Sequence, residues 1–367
     1  MIKLNGSRCV RSLAKESICN NCEVICPTQA IVIAKGATLP AINYSLCVEC
    51  AACDALCPNE AFSFDTYKPN EFFFEYLEDE DNTISCRKNV PCIAAINIEN
   101  LIGLALMKKE VVFDMGYCGE CDIAHKCKPQ ILKLHEEALY LLEAFESSAI
   151  IKLEDLRYKK DEPKQQSTRR EFFAKANLAD VALAKHKFEE EVQKATDELV
   201  EHSLSKTDIA LLRKKRITDR RKLLFSVLKR VGKPSFFHVL EANELSFTSM
   251  KLMDRDSCTA CQMCYRVCPT GALTSDIKNS KIDFDPLLCI KCHTCHDVCE
   301  PDSLSLSPSY RVAEFFEPNV YNLIKFNVKR CDECNMFFSS NTDDKLCYRC
   351  KAEEEEAREL WGLSKDF

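Results

Sequence analysis

Sixteen cysteines in four runs are the residues of this chain best suited to chemistry. Cys47, Cys50, Cys53, Cys57-Pro58 and Cys258, Cys261, Cys264, Cys268-Pro269 both spell C-x2-C-x2-C-x3-C-P. A third run, Cys289, Cys292, Cys295 and Cys299, keeps the spacing but places Glu300 before Pro301. In the fourth, nine residues separate Cys9 from Cys19, and Cys22 and Cys26-Pro27 follow, as though a loop entered after the first ligand. Three thiolates in one tight loop can hold three corners of a 4Fe-4S cube, while the fourth, beside proline, is carried to the other cube of a pair. On that rule Cys9, Cys19, Cys22 and Cys57 hold one cluster and Cys47, Cys50, Cys53 and Cys26 its partner. Cys258, Cys261, Cys264 and Cys299 hold a third, and Cys289, Cys292, Cys295 and Cys268 a fourth. Zinc or disulfides fit this pattern less well, because zinc knuckles are separate C-x2-C pairs far apart in sequence.

The two pairs of runs resemble bacterial two-cluster ferredoxins, over residues 1–75 and 246–312. The resemblance implies a pseudo-twofold fold of short strands and helices around each pair of clusters. Modules this small bury too little apolar surface to fold alone, so their clusters are expected to supply folding energy. His293 and His296 interrupt the third run, where an imidazolium would favour the more negative reduced cluster.

Residues 80–155 follow a different pattern. Thr83-Ile84-Ser85 leads into Cys86, Ile98–Met107 is apolar at helical spacing, and Glu110–Met115 reads as a buried strand. Ile131–Phe145 reads as a second helix and Ala149–Leu153 as a third strand, which together predict a small parallel α/β domain. Cys86 and Cys92 follow the first strand, and Cys118, Cys121 and Cys127 the second, at the carboxyl ends where open parallel sheets place ligands. Two such loops can collect four thiolates with one left over, which predicts a fifth metal centre, with His125 as an alternative ligand. Pro91-Cys92 before a helix, Val111-Val112-Phe113-Asp114 and Gly116-Tyr117-Cys118-Gly119-Glu120-Cys121 resemble the small iron-sulfur delta subunit of methanogen hydrogenases coupled to heterodisulfide reductase. That resemblance implies 2Fe-2S; the residues themselves leave 2Fe-2S, 4Fe-4S and zinc open.

Residues 156–245 read as a charged helical bridge. Within it, Lys206 to Lys233 holds eleven Lys or Arg against Asp208 and Asp219, with apolar residues at helix-like intervals. A packed amphipathic helix is the expected reading, and attraction to an acidic redox partner the functional alternative; nucleic-acid binding would need aromatic residues among the charges. Ser167-Thr168-Arg169-Arg170-Glu171-Phe172-Phe173 looks like a twin-arginine motif but is internal, and is read as a helix start. Over 326–367, Cys331, Cys334, Cys347 and Cys350 form two C-x2-C knuckles twelve residues apart, which predict a zinc ribbon. A rubredoxin-like iron site would use the same sulfurs but lacks the expected aromatic core and glycines. The acidic run Glu353–Glu359 with Leu360, Trp361 and Leu363 reads as an amphipathic docking element or a solvated terminal helix.

The expected fold class is therefore α+β multidomain: two ferredoxin-like modules, a small parallel α/β domain, a helical bridge and a terminal ribbon. The formal net charge is −7. No apolar window is long enough to span a membrane, no signal core opens the chain, and cysteines in ligand spacing point to a reducing compartment, so a soluble cytoplasmic protein is expected. There is no P-loop, G-x-G-x-x-G or HExxH, and the metal centres absorb all 25 cysteines. These residues predict an electron-transfer protein carrying four 4Fe-4S clusters, a fifth iron-sulfur centre and zinc. The company that polyferredoxins keep implies a subunit or partner of a formate dehydrogenase or hydrogenase type complex. Two alternatives are an oxidoreductase subunit with an open cluster at Cys86, Cys92, Cys118, Cys121 and Cys127, and a docking factor for a redox enzyme.

Overall fold

The computed structural model describes residues 1–158, 202, 204, 211, 212 and 214–362. Much of the expected bridge, including the twin-arginine-like run and part of the basic stretch, lies outside them, as does Leu363. The chain folds as a mixed α+β, multidomain protein.

Each cysteine-rich segment is built on one plan. In the first, Ile2–Leu4 pairs antiparallel with Phe62–Phe64, Ile31–Val32 pairs with Ala41–Ile42, and the short helices Asn21–Ile25 and Ala52–Leu56 pack on each other. In the second, Lys251–Met253 pairs with Leu304–Leu306, Leu273–Thr274 pairs with Lys281–Phe284, and the helices Met263–Arg266 and Thr294–Asp297 pack together. Strands of two to four residues cannot stand alone in water. They persist because alternate side chains such as Ile2, Phe62, Phe64, Ile282 and Phe284 are buried inward.

Between them, Thr83–Ile84, Glu110–Asp114 and Ile150–Glu154 form a parallel sheet in chain order. The helices Ile98–Lys108 and Ala124–Ala144 are its crossovers. Asn97 starts the first, its side chain accepting the Asn100 N–H at 2.9 Å, and Lys109 ends it in a left-handed turn at φ 68°. The second helix begins seven residues before the apolar pattern does, so Cys127 lies on the helix and not in the loop before it. Pro129 stands inside this helix, in its second turn, and removes one i→i−4 hydrogen bond there.

The helix Asp219–Leu228 holds these parts together. Leu224, Val227 and Leu228 enter the large shared core, each burial worth about 1.5–3 kcal/mol. Its arginines are buried too. The Arg221 side chain is fully enclosed, pairing with Glu99 and donating to Leu287 O at 2.5 Å and Phe247 O at 2.8 Å. Arg220 lies 3.1 Å from the same carboxylate and donates to Ala55 O at 3.1 Å and to Cys57 O. Glu60 accepts the N–H groups of Asp219 and Arg220 at 3.0 and 2.9 Å, placing a carboxylate at the positive end of the helix. Arg220 and Arg221 therefore work inside the molecule, while Lys214, Lys222, Lys229, Arg230 and Lys233 stay at the surface.

Candidate metal centres

The cysteine loops share an unusual backbone. Glu49 and Ala51 (φ 53° and 60°), Ala260 and Gln262 (56° and 71°), and Lys291 and His293 (48° and 61°) flank the middle cysteine of three runs. Left-handed non-glycine residues cost about 1–3 kcal/mol each unless their surroundings enforce them, and they concentrate at functional sites. Alternating hands turn successive N–H groups into one concavity, a nest for anionic groups. A further positive-φ residue stands three places after every fourth cysteine: Gln29, Glu60, Gly271 and Asp302. The turn therefore survives the shift of proline to position 301. In the first module Ala30 N and Ala61 N, one residue later, donate to Cys26 Sγ and Cys57 Sγ, each at 3.2 Å. The Cys19 to Cys22 loop lacks the left-handed pair; Asn20 has φ −139°.

The cysteines gather across the runs. Cys22 faces Cys57, Cys9 and Cys19, and Cys47 faces Cys50 and Cys26. Cys264 faces Cys261, Cys258 and Cys299, and Cys295 faces Cys292, Cys289 and Cys268. Burial pushes the Cys9 thiol up to about 11 and those of Cys57, Cys264 and Cys292 up to about 12. Thiols so placed do not ionise alone at neutral pH, and crowding several together makes ionisation harder still. Thiolates here call for the positive charge of bound iron, so the donor set fits a cluster.

Residues 250–300 match the family model of the 4Fe-4S dicluster domain. This segment is a 4Fe-4S dicluster domain. No curated protein matches the chain. Beside the dicluster domain's Cys292 and Cys295, burial and the nearby Lys251 lower His293 and His296 to about 4.

Two collars were invisible in the cysteine spacing. Lys215 Nζ donates to Arg266 O at 2.5 Å and Cys268 O at 2.6 Å, and Arg220 to Cys57 O. Cys268 and Cys57 are fourth cysteines of their runs, and one basic segment grips both. The basic composition flagged the segment but could not say where the charges point. A separate link joins the modules where Ile18 N donates to Asp297 Oδ2 at 3.2 Å, beside Cys19.

In the α/β domain all five cysteines line one cavity of 420 Å³. Cys86, Cys92, Cys118 and Cys121 neighbour one another, and burial pushes Cys118 up to about 11. Cys127, buried, lies near both Cys92 and Cys50. The packing agrees with that placement, since the turn Ile93–Ala95 lies against both the helix Ala52–Leu56 and the helix Ala124–Ala144 that carries Cys127. His125 Nδ1 lies 3.0 Å from Asp122 O, occupied as a hydrogen-bond partner.

The strands Asn327–Arg330 and Phe337–Ser340 form a hairpin whose turn carries Cys331 and Cys334, and Cys347 and Cys350 stand at the start of the helix Tyr348–Leu360. Their four Sγ atoms lie within 4.8 Å of one another, with Cys334 and Cys347 3.8 Å apart. A single tetrahedral ion with bonds of about 2.3 Å spaces its sulfurs by about 3.8 Å, so this quartet fits one ion; a cubane spreads its thiolates further. The backbone N–H of Cys347 donates to Cys331 Sγ at 3.3 Å, and that thiol is lowered to about 6 against the opposing effect of burial. Tyr348 Oη reaches Glu300 at 3.3 Å, joining this unit to the dicluster domain, while Leu360 and Trp361 are left exposed. Replacing Cys331 and Cys334 with Ser is expected to unfold the unit after residue 326 and leave upstream iron centres reducible. Paramagnetic resonance checks this; loss of a rubredoxin-like absorption instead would mean that the site holds iron.

Proposed function

We propose that the chain is a multi-cluster iron-sulfur electron carrier that passes single electrons along its own centres between redox enzymes. The observation that carries this reading is the crossed gathering of cysteines, repeated in both modules: Cys57 with Cys9, Cys19 and Cys22; Cys26 with Cys47 and Cys50; Cys299 with Cys258, Cys261 and Cys264; Cys268 with Cys289, Cys292 and Cys295. Only a pair of centres needs ligands exchanged in this way. The first module spans 1–75, the middle domain 80–155, the bridge 156–245, the second module 246–312 and the ribbon 326–367. The contacts between them favour a route within one molecule: Cys127 joins the neighbourhood of Cys50 to that of Cys92, and Asp297 meets the loop of Cys19.

The middle centre is taken as iron-sulfur, held by Cys86, Cys92, Cys118 and Cys121, and the terminal ion as zinc. A formate dehydrogenase or hydrogenase type enzyme is the proposed donor or acceptor. Among the described residues no helix is long and apolar enough to cross a membrane. An electron carrier should take up electrons from dithionite in several one-electron steps, each visible by paramagnetic resonance, and pass them to an enzyme of that type. Reduction of a single centre only would count against it.

The five-thiol cavity keeps an open-cluster enzyme as the second reading. Cys127 separates the two, because its position near Cys50 gives the surplus thiol a place outside the quartet. Cys127→Ala is expected to retain the middle centre and Cys121→Ser to lose it, read by metal content and low-temperature spectra. The opposite pair of outcomes would make Cys127 a ligand. Cyanide should leave a fully ligated middle centre unchanged and perturb an open one.

A further inference from the structure

The two modules are close enough copies that their differences carry information. In the first, Ile2 opens the outer strand, is paired with Phe64 and is 1% exposed. In the dicluster domain the same place, opening Lys251–Met253 and paired with Leu306, is taken by Lys251, 2% exposed. Strand alternation calls for an apolar side chain there, as the outward neighbour Leu252, half exposed, makes plain. Lys251 instead lines a small cavity with Cys268, Cys289, Cys292 and Cys295. Among the described residues its Nζ makes one hydrogen bond, to His296 Nε2 at 2.7 Å, and His296 Nδ1 in turn lies 3.1 Å from Leu304 O. Nδ1–H therefore donates to the carbonyl and Nε2 accepts from the ammonium. The residue after the third cysteine differs in step: the first module has the carboxyl of Asp54 where the dicluster domain has His296.

A buried ammonium costs several kcal/mol to desolvate unless something nearby needs its charge. Reduction adds a negative charge to the cluster, and a fixed cation in a low-dielectric setting stabilises that state more than the oxidised one. Lys291, half-buried beside Cys289 with its Nζ donating to Ala242 O and Leu245 O, adds to the same field, with Glu137 as its nearest countercharge.

We propose that Lys251 makes the centre held by Cys289, Cys292, Cys295 and Cys268 the highest-potential 4Fe-4S cluster of the chain, and so the site where its electrons collect. This rests on the four quartets being cluster ligands, and the test separates the two claims. Full-length protein, purified anaerobically, is first assayed for iron and sulfide, then titrated by paramagnetic resonance, with each signal assigned by its loss in a Cys→Ser variant. The Cys292-dependent signal should be the first to appear on reduction in the wild type. In Lys251→Met, whose side chain is neutral and of similar length, iron should stay at the wild-type level. At fixed applied potential the reduced-to-oxidised ratio of that cluster should fall tenfold or more, about 59 mV, with the other three unmoved. Normal iron with an unchanged ratio overturns the role of Lys251 alone. A wild-type order in which another cubane is reduced first overturns it whether or not the variant folds. Wild-type protein without cubane iron in the first module would sink the underlying reading.

Discussion

Cys57→Ser is expected to remove or convert the cluster of Cys9, Cys19 and Cys22 while sparing the one held by its own sequence neighbours Cys47, Cys50 and Cys53. Cys57 ends the helix Ala52–Leu56, and its sulfur faces the other loop, beside Cys9 and Cys22. A serine there still accepts the Ala61 N–H but offers iron a far weaker ligand. The effect should be large, the loss of most of one centre's signal, because three thiolates leave one iron exposed to solvent and oxidant. The matched change Cys26→Ser should damage the other cluster, since Cys26 lies by Cys47. Resonance spectra of the two variants, each compared with the wild type, give the readout. If Cys57→Ser erases the neighbour cluster, the crossed assignment is wrong.

Arg221→Met is expected to lower stability by about 3–5 kcal/mol, the usual cost of breaking a buried ion pair from one side. Glu99, 2% exposed, would keep only Arg220 as a counterion, and the carbonyls of Leu287 and Phe247 would lose their donor. Because Leu287 lies within the dicluster domain and Phe247 just before it, the loss should loosen the domain's attachment to the rest of the chain. Lys222→Met, on an exposed side chain of the same helix that pairs with Asp219, should change stability by less than about 1 kcal/mol. Guanidinium midpoints under anaerobic conditions compare the variants; equal midpoints for Arg221→Met and Lys222→Met would show that the buried pair does not hold the modules.

How much of this was legible in the sequence depends on how local the determinant is. A ligand run is a local object, and the dicluster match falls on one of the two segments where the C-x2-C-x2-C-x3-C-P spacing stands. The central strand Glu110–Asp114 lies where the apolar run Val111–Phe113 puts it, and the edge strand Ile150–Glu154 keeps Ile150 and Lys152 exposed around a buried Ile151. Cys127 was harder. Lys126, Lys128 and Pro129 hide the helix start, so its thiol was counted with the loop when it sits on a helix near Cys50. Arg220 and Arg221 were legible as charge but not as direction, since their partners Glu60, Glu99 and Cys57 O lie more than a hundred residues away. Lys251 gave no signal alone; only its alignment with Ile2 in the other module gives it meaning.

The most direct measurement of the central claim is iron and acid-labile sulfide per chain in anaerobically purified full-length protein. Four cubanes require about sixteen irons with as many sulfides, before any middle centre is added. About eight of each, confined to the dicluster domain, would contradict the account, as would zinc in place of iron in the first module.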